Sequence, residues 1–512
     1  MYALSRVAVL AAALFLLPPE PSSAQDVTLH SADGRMTVSG TLLAYDGEYL
    51  RLDTEFGALT LDARGLRCEG PGCPLLEEAV LEAVIEGAPV IAEALLPSVL
   101  DAFAAAQGLT VSRLDAGAEQ VFELADPTGG APVMRLRLRA SSSDAGLLAL
   151  AVGEVDLALT LTPLDGEDFV LHVLALDAFV PVVATNSMLQ QVAMADLLAI
   201  LHDDIGGLDG PGGAAMPLSL HMRGHDAGEH YALGARLLAL GLEGIAEQAV
   251  FHASSGSLLA AVARDPLALG MTLRSQARHL ATLPLVDGCG IVLDAGPVAL
   301  KTGEYPLAQP LYAVQRRHRL PLRLRQLLAF FHEPEAISAM RAAGFAETRF
   351  EPLPLEMRAQ RLVNTLIVSD PAPQEDAQFL AALRDLADWL RHSQPLTLAF
   401  RFEPGAARID ATSQALVGPL ARAIEAGVFA GHEVVLAGFT DSEGGYEANR
   451  RLALRRAEAL HDELAAASAL RDAGQILRAE GFGPLLPIAC NDSEWGRALN
   501  RRVEVWLRPH RD

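Results

Sequence analysis

Gly438-Phe439-Thr440-Asp441 is followed along the chain by a helical pattern and then by Asn500-Arg501-Arg502-Val503-Glu504. The β-rich run at residues 434–436 stops before Gly438, so Asp441 lies on the loop after a strand, where side chains face a groove rather than a core. Residues 446–466 carry apolar side chains at the i, i+4 spacing of a helix with one buried face. The sequence therefore predicts a strand, a loop that carries an acid, a helix and a further strand.

Arg456 interrupts the apolar row of the predicted helix. A guanidinium on the buried side of a helix must find an anion or extend to solvent, because an unpaired buried charge is costly. Asp441 and Arg456 can face each other across a cleft and bind a zwitterion, the acid taking an ammonium and the arginine a carboxylate through two parallel hydrogen bonds. The alternative is an internal Asp441–Arg456 ion pair without a ligand. The spacing alone leaves both open.

Residues 396–508 resemble the OmpA-like peptidoglycan-binding domain. The resemblance is carried by the Thr440-Asp441 loop, Asn449, the Leu452-x-x-x-Arg456-Ala457 helix and the strand at residues 500–504. These features occur in the order in which the family has them.

The resemblance implies an α/β sandwich domain at residues 375–512 with peptidoglycan as its partner. In the family, the aspartate and the helix arginine hold the free amino-acid end of diaminopimelate in the stem peptide. These roles fall on Asp441 and Arg456, while Asn449 shapes the loop and Thr440 belongs to the same site. Phe439 replaces the His or Tyr that the family often has before the Thr, which predicts a changed groove lining.

The N-terminus has the pattern of an export signal. Arg6 precedes an apolar run at residues 7–17, and Ser22-Ser23-Ala24 offers a small-residue cleavage site before Gln25. We expect residues 1–24 to be a signal peptide, too short to span a bilayer. No cysteine follows the cleavage site, so we do not expect a lipid anchor, and no later run of about eighteen apolar residues predicts a transmembrane segment. The expected location is the periplasm, in association with the cell wall or outer membrane.

Composition excludes several classes of partner. The formal net charge is -24 at pH 7, which makes the chain a poor partner for nucleic acid or anionic lipid. A length of 512 residues suggests roughly three domains, and the 51% of hydrophobic residues can fill their cores. The predicted fold class is a multidomain α/β protein.

The chain contains four cysteines, and disulfides are typical of exported proteins. Cys68 and Cys73 flank the turn-rich Glu69-Gly70-Pro71-Gly72, which lets their β-carbons approach, so we expect them to be paired. Cys289 and Cys490 lie in different predicted domains. They are either paired across the domains or both free, and the sequence does not decide.

Three further segments precede the C-terminal domain. Residues 26–75 alternate apolar and polar positions between turn signals, which predicts a small β domain of hairpins. Residues 80–350 alternate helical periods with short β-runs, including 170–176 and 180–183, which predicts an α/β domain with mostly parallel strands. Prolines mark residues 351–374 as a linker.

The middle segment resembles the periplasmic solute-binding protein of phosphate ABC transporters. The stretches that carry the likeness are 87–103, Ser141-Ser142-Ser143, 153–158, 175–183, Arg223 with Asp226 and Gly228, and Tyr305-Pro306-Leu307. The resemblance implies a two-lobed, type II periplasmic-binding-protein-like α/β domain whose ligand lies between the lobes. In this family, hydroxyls and backbone N–H groups at helix N-termini bind phosphate.

The chain departs from the family at the ligand contacts. Ala88-Pro89-Val90 stands where the family carries Ser and Thr, and Asp226-Ala227-Gly228-Glu229 replaces a Gly-Ser-Gly-Thr pattern and adds a carboxylate. Ser141, Ser142, Ser143 and Arg223 remain as donors. The lost hydroxyls and the added carboxylate oppose phosphate binding. Phosphate, a different small periplasmic solute and the absence of any ligand all stay open.

His221, His225 and His230, with Asp226 and Glu229, match no metal-binding spacing, and surface histidines are the expected interpretation. The serine runs lack a Gly-x-Ser-x-Gly frame, so we expect no enzyme, and nothing implies a cofactor. Two function classes remain. One is a wall-associated binding protein that samples a periplasmic solute. The other is an envelope-organising protein whose solute-binding fold is a protein-interaction module.

Overall fold

The structure is a computed structural model that describes residues 26–509 except 32–35, 46–48, 64–65, 75–79, 118, 131, 165, 203–205, 210–214, 226, 243, 278, 369–375, 403–407 and 468–476. The predicted signal peptide and Asp226 thus lie outside the described residues. The described chain forms two compact units. The first runs to Leu81 and includes Pro321–Arg323, and the second comprises Glu82–Leu320 and the residues from Leu324 onward. No helix in the described part of the chain is long and apolar enough to cross a membrane.

The first unit is a five-stranded antiparallel sheet with the strand order β4-β3-β2-β1-β5. Its strands are β1 Asp26–Ser31, β2 Thr37–Tyr45, β3 Tyr49–Thr54, β4 Gly57–Asp62 and β5 Leu66–Glu69. Val27, Leu29, Leu50 and Leu52 form its core, as the alternating pattern predicts. The predicted pairing of Cys68 with Cys73 is confirmed, with their Cα atoms 5.7 Å apart.

The middle region of the chain mixes strands and helices. Its strands are β6 Leu81–Gly87, β7 Thr110–Ala116, β8 Glu119–Ala125, β9 Met134–Ala140, β10 Leu157–Thr160, β11 Phe169–Val183, β12 Val192–Ala193, β13 Gly207–Asp209, β14 Ala215–Pro217, β15 Ser219–Arg223, β16 Val250–His252, β17 Ala268–Leu273, β18 Ala281–Thr282, β19 Leu285–Val286, β20 Val292–Leu293 and β21 Ala308–Arg316. Its helices are a π-helix at Val90–Leu95, α1 Leu96–Ala106, α2 Ser143–Val152, α3 Met194–His202, α4 Gly228–Ala239, α5 Ser255–Val262, α6 Pro297–Thr302, α7 Leu322–Phe330 and α8 Pro334–Ala343.

One sheet of the middle region has the strand order β16-β15-β17-β11-β21-β10-β6-β9-β8-β7. The prediction of mostly parallel strands is wrong. β10 with β6, and β15 with β16 and β17, pair in parallel, whereas β7-β8-β9 and the pairs around β11 and β21 are antiparallel. Short connections between β7, β8 and β9 reverse the chain direction, which enforces antiparallel pairing.

The two β-runs predicted at residues 170–176 and 180–183 are one strand, β11, which is 15 residues long. The polar Asp177 between them does not end the strand. It is fully buried, and its Oδ1 accepts the N–H groups of Ala178 at 2.8 Å and Ser275 at 3.1 Å. β11 is therefore one continuous strand, and it pairs with both β21 and β17.

The C-terminal part is a four-stranded sheet in the order β22-β25-β23-β24 covered by helices. Its elements are α9 Leu355–Val368, α10 Asp376–His392, β22 Gln394–Arg401, α11 Ala411–Glu425, β23 His432–Phe439, α12 Tyr446–Ala467, β24 Leu477–Gly483, α13 Glu494–Asn500 and β25 Arg502–Pro509. The predicted strand, loop and helix around Asp441 are confirmed. Leu460 and Leu464 of α12 pack with Leu436 and Val505 of the sheet in one core.

The segment expected as a linker contains α9 and packs between the two α/β parts of the second unit. Arg361 of α9 is 3% exposed, and it donates to Glu304 of the middle region and to Glu504 of β25, the latter at 2.9 Å. Burial acts to lower the pKa of Arg361, but the two carboxylates outweigh it and raise that pKa. Cys289 and Cys490 are paired across the same junction, with Cα atoms 5.5 Å apart.

Candidate functional site

Asp441 lies on the loop between β23 and α12, as predicted, and its partner is Arg501. Asp441 Oδ2 accepts from Arg501 Nη1 at 2.9 Å, and Oδ1 accepts from the backbone N–H of Glu443 at 3.2 Å. The side chain is 13% exposed, so the carboxylate still reaches the groove. The spacing left open an internal ion pair of Asp441 with Arg456. That pair does not form, because Arg501 pairs with Asp441 instead.

Arg456 is the unpaired charge of the site. The residue is 4% exposed, and its Nε and Nη1 atoms are buried without a hydrogen-bond partner. Its guanidinium lies 5.7 Å from the ring centre of Phe402. Burial lowers the pKa of Arg456, Arg501 lowers it further, and Asp441 opposes both effects. Arg456 is therefore a buried cation beside Asp441, with two side-chain nitrogens that have no hydrogen-bond partner.

Thr440 and Asn449 are buried and hold the loop. Asn449 Nδ2 donates to the carbonyl of Glu443 at 2.9 Å, and Thr440 Oγ1 donates to the carbonyl of Asp441 at 2.9 Å. The backbone N–H of Thr440 also donates to Gly483 of β24 at 2.8 Å. Both side chains thus bond the loop that carries Asp441.

The prediction that Phe439 lines the groove is wrong. Phe439 is fully buried in a cluster with Phe482 and Trp506, and Arg502 lies 4.4 Å from its ring centre. The side chain of the last residue of β23 points into the core between the sheet and α10. The replacement of a polar aromatic residue by Phe therefore changes the core and not the groove.

Arg501 is the residue of this site that sequence reasoning missed. It follows α13, whose N-cap is Ser493, and its Nη2 also donates to Glu494 at 2.7 Å. Burial acts to lower the pKa of Arg501, but Asp441 and Glu494 raise it. The sequence did contain a signal for it. Asp441 is an acid on a loop and needs a cation, and Arg501 lies at the start of the strand motif at residues 500–504.

The three serines predicted as donors in the middle region are used within the protein. Ser142 caps α2 and accepts from Ala145 N at 3.1 Å, while the buried Ser143 Oγ accepts from Leu161 N at 3.1 Å. Ser141 Oγ donates to the carbonyl of Ser142 at 3.3 Å. A Cβ atom at Gly228 would lie 3.9 Å from Ser143 Oγ, so the serine loop and the start of α4 are neighbours.

Arg223 lies beside Glu229, which is 7% exposed. Arg223 Nε is 4.0 Å from Glu229 Oε2, and Nη1 donates to the carbonyl of His252 at 2.9 Å. The cavity that these side chains line with Phe179 and Thr272 is about 10 Å³. That is room for about one water molecule.

The prediction of surface histidines is wrong for His221. His221 is 8% exposed on β15, because its side chain faces inward from the strand, and its Nδ1 lies 2.9 Å from Nε2 of His252. His225 is exposed, and its Nδ1 lies 3.1 Å from Nε2 of His230. Burial lowers the pKa of His221, His252 and His230. Among the described residues, no group of three or more His, Cys, Asp or Glu could hold a metal ion.

Two solved structures show the range of folds to which the chain is similar. An ABC-type phosphate transport receptor from Vibrio cholerae is 16% identical, with a TM-score of 0.40, and the match covers 52% of this chain and 99% of that one. The peptidoglycan-associated lipoprotein from Burkholderia pseudomallei is 24% identical, with a TM-score of 0.19, and the match covers 22% of this chain and 89% of that one.

Sequence comparison finds a family for the part of the chain that holds Asp441 and Arg456. Over 72 residues the chain is 44% identical to the "Probable lipoprotein YiaD" of Escherichia coli (strain K12), a match that covers 14% of this chain and 32% of that protein. The chain therefore spans about a third of the length of this curated relative. Residues 401–501 match the model of the OmpA family, so the C-terminal part of the chain is an OmpA domain.

Proposed function

We propose that the chain is a peptidoglycan-associated protein of the cell envelope whose OmpA domain binds the free amino-acid end of diaminopimelate. The observation that carries the proposal is the pair of buried, unpartnered N–H donors of Arg456 beside Asp441. A buried donor without a partner costs about 1–3 kcal/mol, so an anion that reaches Arg456 relieves this cost.

The ligand chemistry follows from the two charges. Arg456 takes the carboxylate of the zwitterion through its fork of donors. Asp441 takes the ammonium, since the carboxylate has acceptor sites beyond those used by Arg501 and Glu443. Asn449 and Thr440 bond the loop that presents Asp441. This is a binding role and not a catalytic one, and it assigns the chain to the periplasm, in association with the cell wall or outer membrane.

Co-sedimentation of the whole chain with purified sacculi tests the proposal. We expect the chain to pellet with sacculi, and free meso-diaminopimelate to release it. 1,5-Diaminopentane at the same concentration should release much less, because it has both amines of diaminopimelate but neither carboxylate. Binding that neither compound reduces would assign the contact to another part of the envelope polymer.

We infer that the interlobe site of the solute-binding fold is degenerate as an anion site. Glu229 stands 4.0 Å from Arg223, where a bound anion would pair, and the cavity beside them is about 10 Å³. Two like charges at such range repel strongly in a cleft of modest dielectric. This small volume favours the second candidate, an envelope-organising protein whose solute-binding fold is an interaction module, over a sensor of another small solute.

The double variant Glu229→Thr with Ala227→Ser should gain at least tenfold in phosphate affinity, about 1.4 kcal/mol. Ala227 is the N-cap of α4, so the variant places two hydroxyls at a helix N-terminus that already favours anions, and it removes the carboxylate. Isothermal calorimetry near pH 7 measures it against the parent chain, for which we expect nothing tighter than about millimolar.

The matched control for the double variant is Glu247→Thr, which removes an exposed acid outside the cavity. It should leave phosphate binding unchanged. If the double variant folds but gains no phosphate affinity, the cleft is closed, and the carboxylate of Glu229 is not the only obstacle. Micromolar phosphate binding by the parent chain would contradict the degenerate site.

A further inference from the structure

A cavity of about 310 Å³ lies where the solute-binding fold meets the OmpA domain, both within the second compact unit. We call it the junction cavity. Its apolar wall includes Leu176, Tyr305, Phe402, Leu416, Trp495 and Leu499. Such a concave, mostly apolar lining with a few polar groups is typical of small-molecule sites.

Arg401 of β22 and Arg236 of α4 bring positive charge to the junction cavity. Arg401 donates to the carbonyls of Leu499, Thr302 and Gly303, and none of these acceptors is a carboxylate. Burial, helped by Arg502, lowers the pKa of Arg401 to about 9. The guanidinium is thus solvated by carbonyl groups, while its charge has no direct counter-ion.

The acid among the described lining residues is Asp410. Its Oδ1 caps α11 by accepting from Ser413 N at 2.7 Å. Arg236 lies near the hydroxyl of Tyr312, which is 2.6 Å from Thr412 Oγ1. Lys301 also lines the cavity, but it pairs with Glu347 and Glu351 at 3.0 Å each. Among the described lining residues, Arg236 is therefore the cation that neither holds a backbone turn nor forms a salt bridge to a carboxylate.

A second cavity of about 350 Å³ adjoins the first and shares Val173, Thr348 and Leu416 with it. Four basic residues line it: His172, Arg317, His332 and Arg422. Among its described lining residues there is no acid. His172 Nε2 is buried without a hydrogen-bond partner. Burial lowers the pKa of His172 and His332, so the positive charge of this lining comes from Arg317 and Arg422, in a chain of net charge -24.

We propose that the junction cavity binds an amphipathic organic anion, an acid with an extended apolar body. The apolar body fills the space between Tyr305, Leu416 and Trp495, and the acid group lies toward Arg236 and the basic cavity next to it. Apolar walls favour the body, and guanidinium–carboxylate hydrogen bonds orient the head. This site is independent of the interlobe cleft and of the Asp441–Arg456 groove.

Displacement of the fluorescent anion 8-anilinonaphthalene-1-sulfonate from the whole chain by decanoate tests the proposal. We expect saturable one-to-one binding of the dye, released by decanoate and at least tenfold less well by decanol, which has the same body without the charge. Equal displacement by decanol, or no saturable binding, would overturn the proposal.

Two variants and a control locate the site. Arg236→Gln removes the head-group cation, and Leu416→Trp fills the cavity without changing its charge; each should weaken decanoate binding at least tenfold. Arg401 is not the residue to change, because its bonds to Thr302, Gly303 and Leu499 tie the two parts of the unit together. The control Arg384→Gln removes an exposed arginine of α10 outside the cavity and should bind like the parent. Unchanged binding in both folded test variants would place the dye elsewhere and overturn the proposal.

Discussion

Arg456→Ala should abolish the co-sedimentation of the chain with purified sacculi. The substitution leaves the ligand carboxylate without its partner in a desolvated groove, which costs roughly 2–5 kcal/mol, or about 30-fold or more in affinity. Because Arg456 has unpartnered buried N–H groups, its removal should not lower the thermal stability of the free chain by the amount expected for a paired arginine. Loss of binding in a stable protein separates a ligand contact from a folding defect.

Asp441→Ala should abolish sacculus binding for the complementary reason, since the ligand ammonium then has no counter-charge. This variant also removes one of the two carboxylates that bind Arg501, so Asp441→Asn, which keeps the shape and the acceptor oxygen, belongs in the same experiment. The matched control is Arg455→Ala, which removes an exposed arginine adjacent to Arg456 on α12 and should pellet like the parent. Undiminished binding by both alanine variants would reject the site.

Removing the Cys289–Cys490 disulfide should destabilise the second unit by far more than removal of Cys68–Cys73 destabilises the first. The bridge joins residues separated by 201 positions, and the chain-entropy account gives about 5 kcal/mol for such a loop against about 2 kcal/mol for the separation of 5 in the first unit. Asp287 adds to the junction, accepting from Cys490 N at 2.7 Å and from Cys289 N at 3.0 Å.

Denaturant unfolding of Cys289→Ser with Cys490→Ser checks this prediction, with Cys68→Ser and Cys73→Ser as the matched control pair. We expect the first pair of substitutions to lower the midpoint of the transition that reports the second unit, with a smaller shift for the control in its own unit. Equal shifts in the two double variants would show that other contacts, such as Arg361 with Glu504, stabilise the junction more than the disulfide does.

The elements around Asp441 were predictable because their signals are local. A β-run that stops at a glycine and an i, i+4 apolar row define β23 and α12 without reference to the rest of the chain. The partner of Asp441 was not predictable in this way. Arg501 lies sixty residues further on, and its approach depends on the helix α13 that precedes it.

The junction was hidden for a similar reason. Prolines at both ends of residues 351–374 indicate a linker, yet the stretch between them forms α9, whose Arg361 is stable in the interior only because Glu304 and Glu504 meet it there. The inward position of His221 likewise depends on β16, which brings His252 to it. Long-range pairs of charges and rings leave no periodic signal in the sequence.

Calorimetric titration of the whole chain with two stem peptides tests whether Arg456 binds the second carboxylate of diaminopimelate. One peptide ends in meso-diaminopimelate and the other in lysine, so they differ only in that carboxylate. We expect the diaminopimelate peptide to bind at least tenfold more tightly, and Arg456→Ala to remove the difference. Equal affinities for the two peptides in the parent chain would contradict it.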